Sequence, residues 1–151
     1  MEIKRILWPT DFSKNCNRAV PYIKLLAEKH GAEVELIYVA VDLGAVGHWY
    51  GDPEQDRIER FNRREVESAQ KRLDEVCRAE LKDCLAAKKK AVVGDPLQEI
   101  LKTIDEDNID MVVIAARGRS ADDRDDSPLG SLTKRLVKRS PVPVLVVNTA
   151  H

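Results

Sequence analysis

Cysteine is scarce and irregularly placed in this 151-residue chain: Cys16, Cys77 and Cys84 are odd in number and fit neither a CxxC pair nor a Cys/His zinc spacing. That pattern argues against a disulfide framework and reads as three reduced, structural thiols in a reducing compartment. Cys77 and Cys84 lie two helical turns apart, about 10 Å, too far for a bridge within one helix. Histidine is limited to His30, His48 and His151, each isolated, so neither a structural nor a catalytic metal is expected. No apolar run approaches the roughly 20 residues that cross a bilayer. The start, Met1 to Trp8, enters strand-like sequence without an apolar leader or a small-residue cleavage site, so a cytoplasmic location is expected. Charge of one sign is also lacking. Lys and Arg number 25 against 26 Asp and Glu, which leaves no cationic surplus of the kind that nucleic-acid binding uses to displace counterions. Walker A, GxGxxG, GxSxG and HExxH signatures are missing, and no general base stands out.

What is present is a 43% apolar fraction in a length that suits one core, so residues 1–151 are expected to form a single domain. The apolar pattern alternates strand and helix. Ile3 to Trp8 reads as a buried strand closed by Pro9-Thr10-Asp11, and Ser13 is placed to cap a helix from Asn15 to His30 that Gly31 stops. Glu33 to Val41 is a second strand, followed by a loop to Pro53 and a long, heavily charged helix between about Glu54 and Ala86 with one apolar stripe. Lys89 to Val93 is a third strand, and Gly94-Asp95-Pro96 opens a helix carrying Leu97, Ile100, Leu101 and Ile104. Met111 to Ala115 is apolar without alternation, the mark of a central parallel strand covered on both faces. A short helix with Leu132, Leu136 and Val137 precedes a last strand, Val142 to Val147, whose Pro143 suits an edge or a strand start. Five strands alternating with four helices predict an α/β fold with a parallel sheet and right-handed crossovers. Ligands of such sheets bind beyond the carboxyl ends of the strands, where strand order reverses. Two segments compete for that place: Pro9 to Ser13 after the first strand, and Ala115 to Ser120 after the fourth.

These segments, with Gly130-Ser131-Leu132-Thr133 and the ending Ser140-Pro141-Val142-Pro143-Val144-Leu145-Val146-Val147, resemble the universal stress protein family across essentially the whole chain. The resemblance rests on an Asp in the first strand-to-helix turn, a Gly-Asp-Pro before the third helix, a glycine phosphate loop after the fourth strand and a Pro-Val-Leu-Val-Val final strand. It implies a Rossmann-like, five-stranded parallel sheet of order 3-2-1-4-5 with helices on both faces, and a site for ATP or AMP between the first and fourth strands. Position by position, it implies that Asp11 bonds the ribose or adenine, that Pro9 and Thr10 supply backbone beside the base, and that Val39 contacts the adenine. Gly118, Gly130, Ser131, Leu132 and Thr133 would then surround the phosphates, with Arg117 and Arg119 beside them. Glycines let backbone N–H groups approach phosphate oxygens, and a helix N-terminus adds unpaired donors and partial positive charge. It also implies a homodimer paired through the terminal strand, whose edge would otherwise stay exposed.

The chain departs from the family pattern in two places. Ala115 stands where the family has its first loop glycine, and eleven residues separate Gly118 from Gly130, two more than the pattern. The added length falls in Ala121 to Ser127, where four aspartates and one arginine would repel a bare triphosphate. A bound Mg²⁺ would reverse that sign, and a loop turned to solvent would remove the conflict. Three functions therefore stay open: a nucleotide-binding switch, a nucleotide-independent adaptor dimer, and a slow ATP hydrolase. Asp11, Gly118 and Gly130 also have plain readings as turn and cap residues, and the aromatic loop Gly47 to Gly51 as an anchor on the sheet edge.

Overall fold

Residues 1–41, 55–81, 88–118 and 129–148 are described by a computed structural model, with the backbone alone for Gln55 and Asp56. The chain runs through β1 (Arg5–Pro9), α1 (Lys14–Asn17), α2 (Val20–His30), β2 (Glu33–Ala40), α3 (Gln55–Glu80), β3 (Lys88–Val93), α4 (Pro96–Glu106), β4 (Met111–Ala115), α5 (Ser131–Arg139) and β5 (Val144–Val147). The five strands form one sheet of order β3-β2-β1-β4-β5, every pair parallel. The order expected from the family resemblance is thus the observed one.

Strand alternation divides the core between the two faces of the sheet. Ile6, Trp8, Leu36 and Val113 face α1, α2 and α3, where Cys16, Ile23, Ala27 and Leu73 meet them. Leu7, Ile37, Val112 and Ile114 face the other side, against Leu97, Ile100 and Ile104 of α4 and Leu136 of α5. Burial on both faces explains why β1 and β4 carry apolar runs rather than alternation. Helix ends follow local chemistry: Asp95 accepts from the Gln98 amide at 3.0 Å, and Gly31 closes α2 at φ 62, a conformation that favours glycine.

Several boundaries differ from expectation for identifiable reasons. The helix expected from Asn15 to His30 is broken at Arg18–Ala19. Pro21 has no N–H for the carbonyl four residues earlier, and Arg18 and Ala19 instead donate to Asn15 and Cys16 at 3.2 Å, three residues back. The last strand starts at Val144, two residues late, because the Ser140 hydroxyl takes both backbone groups of Val142: it donates to the carbonyl at 2.7 Å and accepts from the amide at 3.1 Å. At the other end, β1 begins at Arg5 rather than Ile3, and the amides of Lys4 and Arg5 donate to the Asp110 carboxylate. The described part of the long helix begins at Gln55 and ends at Glu80; the expected opening at Pro53, the aromatic loop, Cys84 and the acidic stretch lie outside the described residues. No helix among the described residues is long and apolar enough to cross a membrane.

One buried carboxyl stands out below the second core. Glu35 on β2 is 4% exposed, and burial, together with the neighbouring Asp107 carboxylate, pushes its pKa up to about 7. A protonated Glu35 donates to Asp107, which is held below the usual carboxylate range by that bond and by Lys88, 3.3 Å away. A raised folded pKa stabilises the fold below the unfolded value of 4.5 and withdraws that stabilisation as pH rises through 7. Unfolding free energy from urea titrations should therefore fall between about pH 4.5 and 7 in the wild type, and Glu35→Gln should flatten that slope. Equal slopes in the two proteins would rule out Glu35 as the titrating group.

Candidate functional site

At the carboxyl ends of the strands, β1 and β4 are neighbours in the sheet, and the segments that follow them are brought together. The turn after β1 is built from two consecutive side-chain bonds. The Thr10 hydroxyl accepts from the Phe12 amide at 3.1 Å, and the Asp11 carboxylate accepts from the Ser13 amide at 2.9 Å. Such two-residue reaches are what Thr and Asp provide in turns. Ser13 then caps α1 through the Cys16 amide. The Thr10 amide donates to the Ile37 carbonyl at 2.9 Å, which ties the turn to β2.

The turn places Phe12 at φ 66, a left-handed conformation that costs a side chain of this size about 1–2 kcal/mol. Its ring is tilted 32° against Tyr38 with centroids 4.9 Å apart, and the Arg72 guanidinium of α3 lies 4.3 Å from its centre. These contacts offset the strained backbone. On the other side of the turn, the Cys16 thiol donates to the same Asp11 oxygen at 3.1 Å. Burial, above all, pushes the thiol pKa up, so Cys16 is a neutral S–H donor.

The loop after β4 is anchored to the start of α5. Ala116 N–H donates to Val147, Gly130 N–H donates to Ala116 at 2.8 Å, and the buried Thr133 hydroxyl donates to the Ala115 carbonyl at 3.1 Å. These bonds hold the first turn of α5, with no acidic residue and its unpaired N–H groups, at the end of β4. Gly118 is where the two segments touch. A β-carbon there would run into the Asp11 carboxylate, so a side chain at 118 could be placed only if that carboxylate moved from its position in the turn.

Between the segments lies a cavity of about 670 Å³, within the range of small-ligand and cofactor sites. Of the twelve residues expected at a ligand site, Pro9, Thr10, Asp11, Val39, Ala115, Arg117, Gly118, Gly130, Ser131, Leu132 and Thr133 line it, and Arg119 lies outside the described residues. Thr133 differs from its expected part: its hydroxyl proton is spent on the Ala115 carbonyl rather than offered to the cavity. Sequence reasoning missed Cys16, Ile37, Tyr38, Val41, Pro96, Ile100 and Ile114 in the lining. Position one turn beyond the Ser13 cap was the available signal for Cys16; for Pro96 and Ile100 it was the Gly-Asp-Pro helix start.

The lining combines two kinds of chemistry: the apolar side chains of Val39, Val41, Pro96 and Ile100, and the polar groups of Asp11 and the start of α5. A second hollow of about 580 Å³ sits at the opposite end of the sheet, beside the C-terminal end of α2, where Glu2 and Glu33 line it together with Lys4 and Arg5. Among the described residues no three acidic, histidine or cysteine side chains gather as a metal site.

The universal stress protein family model matches residues 2–148. Universal stress protein MJ0577 of Methanocaldococcus jannaschii is 27% identical over 95% of this chain and 94% of its own length. The solved structure of MJ0577 superposes with a TM-score of 0.86 at 24% identity, covering 100% of this chain and 99% of that one. A universal stress protein solved in complex with cAMP matches with a TM-score of 0.67 at 20% identity, over 99% of this chain and 100% of that one. One from Archaeoglobus fulgidus in complex with dAMP gives 0.66 at 18% identity, over 98% and 100%.

The bond from Thr133 to Ala115 generates a prediction about the frame of the cavity. Thr133→Val leaves a buried carbonyl without its donor and should lower urea-derived stability by about 1–3 kcal/mol. Ser131→Ala, at an exposed position, should stay within about 0.5 kcal/mol of wild type. Equal losses in the two variants would show that the Thr133 bond does not hold the end of β4.

Proposed function

The chain belongs to the universal stress protein family, and from that premise we propose that its cleft binds an adenine nucleotide, with occupancy rather than turnover as the output. The observation that carries this reading is the contact of Asp11 with Gly118 beside the first turn of α5, at a cavity lined by both apolar and polar groups. The apolar side chains of Val39, Val41, Pro96 and Ile100 in the lining suit the faces of a purine. Asp11 is an acceptor suited to ribose hydroxyls, and it is preoriented by Ser13 and Cys16. Gly118, Gly130, Ser131 and Arg117 together with the N–H groups of α5 suit an anionic phosphate. Relatives solved with cAMP and dAMP favour the same ligand class.

Binding at this place would tie together the ends of β1, β2 and β4 and the start of α5, and a ligand that prefers the closed arrangement shifts its population. A change of that kind is readable by a partner without any bond being broken. We further propose that a second copy of the chain pairs along β5, which forms one edge of the sheet.

Equilibrium titration with AMP and with ATP, each with and without Mg²⁺, is expected to give saturable binding in the range up to millimolar. No saturation at millimolar nucleotide would remove this reading and leave the nucleotide-independent adaptor. Asp11→Ala should weaken AMP by about 10- to 100-fold and Ser131→Ala by about 3- to 10-fold, the worth of a charged and a neutral hydrogen bond. Gly118→Ala should lose affinity as well, because the added methyl collides with the Asp11 carboxylate. Cys77→Ser should bind as wild type does, since Cys77 does not line the cavity. Unchanged affinity in Asp11→Ala and Ser131→Ala would move the site elsewhere.

A further inference from the structure

We infer that Arg72 and Phe12 are positioning residues for the cleft: the guanidinium of α3 pins the Phe12 ring against Tyr38, and that pin fixes the turn that aims Asp11. The inference concerns how Asp11 is held, and it extends the nucleotide reading without depending on it for its own test.

Residue 12 adopts φ 66, where glycine or asparagine would fit with less strain, yet the position carries a phenylalanine. The local bonds of the turn do not require a ring. Thr10 accepts from the backbone amide of residue 12, and Asp11 accepts from the amide of Ser13; both could form around a smaller residue. What the ring adds is a connection between elements. One contact is Tyr38 on β2, itself part of the cavity lining, and the other is Arg72, 4.3 Å from the ring centre. Arg72 is an exposed residue of α3, and no residue of α3 lines the cavity. A cation above an aromatic face is attracted by the ring quadrupole, and here that attraction draws the turn toward a long helix docked on β2 and β3. Leu73, the next residue, is fully buried in the core beneath, so the anchor point of Arg72 is rigid.

The consequence reaches Asp11 through one peptide unit. Phe12 held in the left-handed region keeps the carboxylate of the preceding residue under the Ser13 amide and the Cys16 thiol, with its other oxygen against Gly118. If residue 12 relaxed to a common conformation, the backbone direction between Asp11 and Ser13 would change, and those bonds would not form together. Neither Arg72 nor Phe12 lines the cavity, so they act on a ligand through the residues they position, Asp11 foremost.

The test uses the full chain in a Cys77→Ser, Cys84→Ser background, so that alkylation by iodoacetamide reports Cys16 alone. Measured without nucleotide, Arg72→Ala should raise the Cys16 alkylation rate by about 3- to 10-fold, and it should weaken AMP binding by a similar factor. Arg72→Lys keeps a cation over the ring and should restore at least half of each effect on a logarithmic scale. Phe12→Gly separates the pin from the strain: it relieves the left-handed backbone but removes the ring, so it should also expose Cys16 and weaken AMP. Thermal midpoints of all variants, with alkylation carried out at least 15 °C below the lowest, exclude global unfolding as the source. The inference is overturned if Arg72→Ala leaves both readouts within twofold of wild type, or if Phe12→Gly protects Cys16 and binds AMP as well as wild type does. Absence of AMP binding to the wild type would instead sink the nucleotide reading, while the Cys16 rates would still decide the pin.

Discussion

The contact between the Asp11 carboxylate and Gly118 is the constraint on which the cleft depends. It joins two turns that are about a hundred residues apart in the chain, and it exists because β1 and β4 are adjacent at the point where the sheet reverses its winding. A side chain at 118 would displace the Asp11 carboxylate from the bonds that hold it. The remaining parts support this contact from below and from the sides. Ala116 and Gly130 hold the loop to the start of α5, Thr133 holds that helix to the end of β4, and Ser13 and Cys16 hold the carboxylate.

The polarity of the cleft follows from two cheap sources rather than from many charged groups. Parallel strands all end at one rim, so the helix that follows β4 brings its amino terminus and partial positive charge to that rim. Asp11 then stands opposite as the acceptor, fixed by bonds to an amide and a neutral thiol. Raised by burial, the Cys16 thiol stays protonated and donates, so it steadies the aspartate instead of competing with it for a proton. Glu35 and Asp107, near the other end of the sheet, solve a different problem: two carboxyls packed beside a core share a proton and borrow the charge of Lys88.

Much of this was legible because each strand and helix carries its own period. The apolar run of β4 gave its central place and that of β1 its burial, and Gly31 and Asp95 marked helix ends. The family resemblance joined the two segments into a site, and every described residue it assigned lines the cavity. What escaped were residues whose role depends on a neighbour from another element. Cys16 looks like a core thiol until Asp11 is seen beside it, and Arg72 looks like one of many helix charges until it is seen over Phe12. Boundaries slipped where one side chain overruled a local pattern, as Ser140 does at Val142 and Pro21 does in the first helix.

Periodicity, turn residues and capping residues by themselves determined the parallel α/β class and the alternation of elements, because those signals act within a few residues of one another. Motif spacing added the candidate segments. Only the tertiary structure decided that Phe12 sits in a strained turn, that Gly118 lies against the Asp11 carboxylate, and that α3 contacts that turn through the Arg72 guanidinium. Contacts between distant segments depend on distances of a few ångströms, and a linear pattern of residue types does not encode those distances.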